Sequence, residues 1–141
     1  KLNYKYIIIY IMDYIAVLRD SIETSISLGL FKTKKESSVA HIFNSKLVKL
    51  PLSRFNNVEN FNPDRLQDSA TKAYPLDNRP RGIDDINSVK FYQKQIKNGK
   101  IVQPIWLVEK NKKYILLDGA HRIVSTYIEN KNTIDAYIIS I

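Results

Sequence analysis

The stretch Tyr114-Ile115-Leu116-Leu117-Asp118-Gly119-Ala120-His121-Arg122-Ile123-Val124 changes its periodicity within a few residues. Residues 114–117 form a short apolar run of the kind that pairs as a strand. Ile123, Val124, Tyr127 and Ile128 then recur at helical spacing. Gly119 stands between the two patterns, so a strand is expected to enter a glycine turn and pass at once into a helix. The first N–H groups of such a helix have no intrahelical partner and carry the positive end of its dipole, which makes an anion site.

Residues 102–108 (VQPIWLV), upstream, are rich in β-branched and aromatic side chains, and 109–113 is polar. With 114–117 they predict a hairpin. Downstream, a turn at 131–133 precedes an alternating strand at 134–139. Strand, helix and strand in that order predict a right-handed parallel crossover. Asp84 or Asp85 is expected to cap a helix with Ile86, Val89, Tyr92 or Gln93, and Ile96 on its apolar face, stopped by Gly99. Residues 46–50 read as a strand closed by Pro51. Residues 56–82 are rich in Asn, Asp and Pro and read as a long functional or mobile connection. Ile11, Ile15, Leu18, Ile22 and Ile26 define an amphipathic helix. Gly29 and Lys32, Lys34 and Lys35 are read as its C-terminal end.

These elements predict an α/β (α+β) protein, compact as a whole. A helical extension at 1–45, which packs on the core or serves as a dimer contact, precedes a small mixed-sheet domain at 46–141. A length of 141 residues, 44% hydrophobic and 26% charged, suits one such unit. The chain has no cysteine, which excludes disulfides, thiolate metal sites and a cysteine nucleophile. It fits an intracellular, cytoplasmic setting, the host cytoplasm if the chain is viral. Two histidines, His41 and His121, are too few for a histidine-rich zinc site. The apolar run at 7–18 is interrupted by Asp13 and is too short to span a bilayer. No small-residue cleavage site follows it. Lys1 is not a methionine, so the chain is treated as one that can be a fragment. The net charge of +8 draws polyanions, DNA among them, although the lysines are scattered.

At the turn itself each residue type has a chemical use. Gly119 permits close backbone approach to a ligand, and Ala120 keeps the turn small. His121 and Arg122 bring a titratable imidazole and a permanent cation to one point. Asp118 can accept a substrate proton or hold Mg²⁺. The bland alternative is that Asp118 caps the helix, Gly119 makes the turn and Arg122 is solvated.

The run from Gly99-Lys100-Ile101-Val102-Gln103-Pro104-Ile105 through the hairpin to residues 116–139 resembles the core of the ParB N-terminal/sulfiredoxin superfamily. The resemblance covers about residues 79–139, with 47–54 as a candidate first strand. It implies a small α/β domain whose glycine turn and following helix bind nucleotide phosphates at Gly119, Ala120, His121 and Arg122. Sulfiredoxins have a "GCHR" turn with a catalytic cysteine. Ala120 stands in that place here, so sulfiredoxin chemistry is excluded. Partition proteins of the family continue into a helix-turn-helix, for which this chain has no room. The spelling is nearest to the "DGHHR" turn of the free-serine kinases, which implies ATP or ADP, or CTP, with Mg²⁺, and Asp118 and His121 as catalytic groups. Arg79 and Arg81 match a segment that reaches phosphates in the family, or are a solvated basic turn. Lys100 and Gln103 border the strand near the nucleotide, or are surface residues. The free-serine kinases have a second carboxylate upstream, for which Glu59 and Asp64 are the candidates, and the role is carried over to neither.

Three functions follow as expectations. The first is nucleotide binding with phosphoryl transfer or hydrolysis, in which Arg122→Ala weakens binding and leaves folding intact. The second is a ParB-like DNA-associated module, of partition or nuclease type. The third is a non-catalytic interaction domain that forms a homodimer through its N-terminal helix.

Overall fold

The computed structural model describes residues 4–63 and 82–141. Two helices come first, α1 (Tyr4–Ser27) and α2 (Lys34–Phe43), then strand β1 (Ser45–Pro51) and a short 3-10 turn (Leu52–Asn56). After the undescribed stretch come α3 (Gly82–Lys97), β2 (Ile105–Lys110), β3 (Lys113–Asp118), α4 (Ala120–Ile128) and β4 (Thr133–Ser140). The strands form one mixed sheet in the order β1-β4-β2-β3. This meets the expectation of an α/β protein with a small mixed sheet and a long N-terminal helix.

Strand β2 lies inside the sheet, and Ile105, Trp106, Leu107 and Val108 are all buried. Their alternation separates two cores. Ile105 and Leu107 join Leu116, Ile123, Val124, Ile134, Ala136 and Ile138 on the face covered by α3 and α4. Trp106 and Val108 join Val17, Ala40, Leu117 and Ile139 on the face covered by α1 and α2. A strand buried on both faces needs a layer of helix on each. The segment expected as an extension therefore supplies the second covering layer.

The hairpin is present, with Asn111 and Lys112 both at positive φ, as a two-residue turn between twisted strands requires. Strand β2 begins at Ile105 rather than at residue 102. Pro104 has no N–H to give a ladder, and the carbonyls of Gln103 and Pro104 accept from Arg122 instead. The expected parallel crossover is corrected in its partner. Strand β4 pairs parallel with β2, which is antiparallel to β3, so β4 runs opposite to the strand that precedes the α4 crossover. The outer side of β3 is taken by Glu59, whose backbone bonds Tyr114 and Leu116, so β4 enters at the free side of β2.

Two other boundaries differ from expectation. Lys34 and Lys35 open α2 rather than closing α1, because Thr33 accepts a hydrogen bond from the Glu36 amide and caps the new helix. Helix α3 starts at Gly82, so Asp84 and Asp85 lie inside it rather than at its cap. Gly99, at φ 69°, ends α3 as expected. Among the described residues no helix is long and apolar enough to cross a membrane.

Candidate functional site

Strand β3 ends at Asp118 and α4 starts two residues later, with Gly119 between them at φ 127°. That conformation favours glycine, and the space does too. A Cβ built there would lie 2.7 Å from Ile105 Cβ and 3.1 Å from Arg122 Nη2. The glycine read as a ligand-approach point is thus required by packing against β2. No side-chain hydrogen bond caps the start of α4 among the described residues. Asp118 is not the cap.

Asp118 instead meets Arg122 four residues on, Oδ2 to Nη2 at 2.6 Å. Arg122 Nη1 donates to the carbonyls of Gln103 and Pro104 at 3.2 and 3.1 Å, and the guanidinium lies 5.8 Å from the Tyr92 ring centroid. With 2% of its side chain exposed, Arg122 is not a solvated residue. It ties the lead-in of β2, the end of β3 and α3 to the first turn of α4. Three hydrogen bonds of its guanidinium are made inside the fold, which gives Arg122 a positioning role at the cavity wall.

Above this pair opens a polar cavity of about 510 Å³. Leu117 to Arg122 form one wall, with Asn60 and Asn62, Ser88 and Tyr92, and Asp13, Asp20 and Thr24 of α1 around the rest. Burial pushes the Asp118 carboxyl up to about 6; Arg122 opposes this, and Asp20 and Asp13 add to it. Burial also raises Asp13 and Tyr92, and the Arg122 charge works against both shifts. Asp118 retains 27% side-chain exposure, so it can exchange a proton with the cavity.

The structure brings Asp118, Gly119, Ala120, His121 and Arg122 together at this cavity. Two others lie elsewhere. Gln103 is buried behind Arg122, donates to the Tyr10 carbonyl, and does not line the cavity. Lys100 stands 5.3 Å from the Tyr6 ring, beside a different hollow. Glu59 spends its backbone on the β3 edge, and Asn60 and Asn62 reach the cavity in its stead. Arg79, Arg81 and Asp64 lie outside the described residues. Sequence reasoning did not find Asp13 and Asp20 as site residues. Their signal was a carboxylate interrupting an apolar run and another seven residues on, on the same face of α1.

No group of three or more His, Cys, Asp or Glu among the described residues could hold a metal ion. One Asp118 oxygen is already bound to Arg122. The described residues thus form no all-protein cage for a metal, and Asp118 keeps its other oxygen off Arg122.

No family model matches the chain, and no curated protein matches it. The crystal structure of sulfiredoxin from Arabidopsis thaliana is similar, with a TM-score of 0.43 and 22% identity over 67% of this chain and 85% of that one.

Proposed function

We propose that the chain binds the phosphates of a nucleotide at the start of α4 and catalyses their transfer or hydrolysis. The observation that carries this reading is a helix start without a side-chain cap among the described residues, opening into a polar cavity beside a carboxyl that burial pushes up to about 6. Backbone N–H groups and the helix dipole supply stabilisation for anionic oxygens. Asp118, oriented by Arg122, accepts the proton of the attacking hydroxyl or water. His121 lines the same wall as a second polar group. Asp13 and Asp20 face the incoming phosphates with like charge, so the nucleotide is expected to arrive with its own Mg²⁺ as part of the substrate.

Calorimetric titration with ATP, ADP and CTP, with and without Mg²⁺, tests the binding. Saturable binding that improves with Mg²⁺ is expected, and no heat with any of the three would sink the reading. Asp118→Asn keeps an acceptor for Arg122 but cannot take a proton. It is expected to retain binding and to lose about 10²- to 10⁴-fold in turnover. The wild-type rate should rise through pH of about 6 as the carboxyl ionises.

A second reading has its own observation. Lys49, Lys100 and Lys131 line a hollow of about 360 Å³ that does not include the turn residues, with Lys49 paired to Asp135 at 3.0 Å in the same lining. Contacts to a nucleic-acid backbone there predict duplex binding that weakens steeply with salt. Absence of duplex binding at low salt removes this alternative.

A further inference from the structure

Beside the polar cavity, between α1 and α3, lies a second hollow of about 510 Å³ with a different lining. Tyr6, Tyr10 and Met12 form one side, Phe91 and Tyr92 the other, and Ile101 borders it. The Phe91 and Tyr92 rings meet edge to face with centroids 5.2 Å apart. Large apolar side chains in this wall remain open to solvent: Phe91 is 53% exposed, Met12 65% and Ile101 71%. Exposed apolar surface gathered in one concavity marks a binding site more often than chance scatter does. The volume and the aromatic lining with few polar groups are those of small-molecule sites.

The two hollows are adjacent: Asp13 and Tyr92 line both, which places the apolar compartment next to the polar one. We propose that the hollow between α1 and α3 takes the planar aromatic ring of the ligand whose anionic end lies at the start of α4. The chemical class that joins a flat ring to an anionic chain is a nucleotide, with its base against Phe91 and Met12. This rests on the phosphate reading above and adds the place of the base. Helix α1 thereby acquires a second role, as a wall of the site as well as a cover for the sheet.

Inorganic tripolyphosphate has the anionic end and no ring, so it separates the two compartments. Wild type, Phe91→Ala and Phe91→Tyr would be titrated with ATP and with tripolyphosphate, and their folds compared by circular dichroism. Phe91 is half exposed and belongs to neither core, so its replacement leaves the fold in place. ATP is expected to bind about 10-fold or more tightly than tripolyphosphate, the scale of one base stacked on an aromatic side chain. Phe91→Ala should remove most of that difference without changing tripolyphosphate binding, and Phe91→Tyr should restore it. Equal affinity for ATP and tripolyphosphate, unaffected by Phe91→Ala, overturns the ring site and leaves the phosphate reading standing. ATP binding that depends on Phe91 while tripolyphosphate is silent supports the ring site and removes the phosphate reading. No binding of either ligand removes both.

Discussion

Arg122 shows how one side chain can satisfy a motif and serve a different purpose from the one the motif suggests. Five residues between a strand and a helix pointed to an anion, and an arginine among them pointed to a phosphate contact. The fold places that arginine at 2% exposure with an aspartate and two carbonyls on its donors. Removing it leaves Asp118 without its partner and two carbonyls without a donor. Arg122→Ala is therefore expected to lose about 3–5 kcal/mol of folding stability, the usual effect of breaking a buried pair. Urea denaturation measures this, and a change below about 1 kcal/mol would return Arg122 to the solvated class. Pairing Arg122→Met with Asp118→Leu should recover part of the loss, since neither charge is then stranded.

The α1–α2 pair is held by polar contacts that neither helix reveals alone. Ser21, Ser25, Ser37 and His41 are all buried between them. His41 Nδ1 lies 2.7 Å from the Ser37 carbonyl, which can only accept, so Nδ1 carries the proton. In the neutral ring, which burial favours, Nε2 accepts from Ser21 Oγ at 2.7 Å. Burial lowers the His41 pKa from 6.5, and the Ser37 carbonyl partly opposes this. The unfolded chain takes up this proton at higher pH than the folded one. The stability due to neutral His41 is therefore complete above about 6.5 and is lost as pH falls towards the folded value, at up to about 1.4 kcal/mol per pH unit. Subtracting the stability–pH curve of His41→Gln from that of wild type isolates this slope. Asp118, whose raised pKa makes ionisation costly between about 4 and 6, cancels in the difference. A flat difference curve would mean that His41 is not held neutral. Helix α2 was itself legible in Thr33 and Glu36, a capping pair three residues apart. The lysines beside it read as an ending, and that reading concealed the start.

Across the whole molecule, the sheet needs both helical layers. Trp106, the sole tryptophan, is 1% exposed, stacked on Tyr137 at 4.5 Å between ring centroids and in contact with His41 at 4.7 Å. A chain beginning at Ser45 lacks α1 and α2 and would open Trp106, Val108, Leu117 and Ile139 to water. It is expected to show red-shifted tryptophan emission and to associate or unfold. Native emission from a monomeric, folded 45–141 fragment would make the N-terminal helices an appendage. Further apolar residues of α1, among them Ile8, Ile11 and Ile15, remain exposed, so sedimentation of the full chain at several concentrations belongs beside that measurement.

Local pattern settled a good deal by itself. The β-branched and aromatic run around Trp106 and the helical spacing after Gly119 carried the hairpin, the strand-to-helix turn and the mixed-sheet class, because side-chain shape and periodicity follow backbone geometry. The presence of α1 was likewise readable from its apolar spacing. Tertiary structure alone decided which strands became neighbours, that α1 and α2 cover a face of the sheet, and that Asp13 and Asp20 stand over a turn about a hundred residues away in the chain. It also decided the role of Arg122. Charge and spacing say what a side chain can do, but burial and the groups around it select what it does, and those are set by segments distant in sequence.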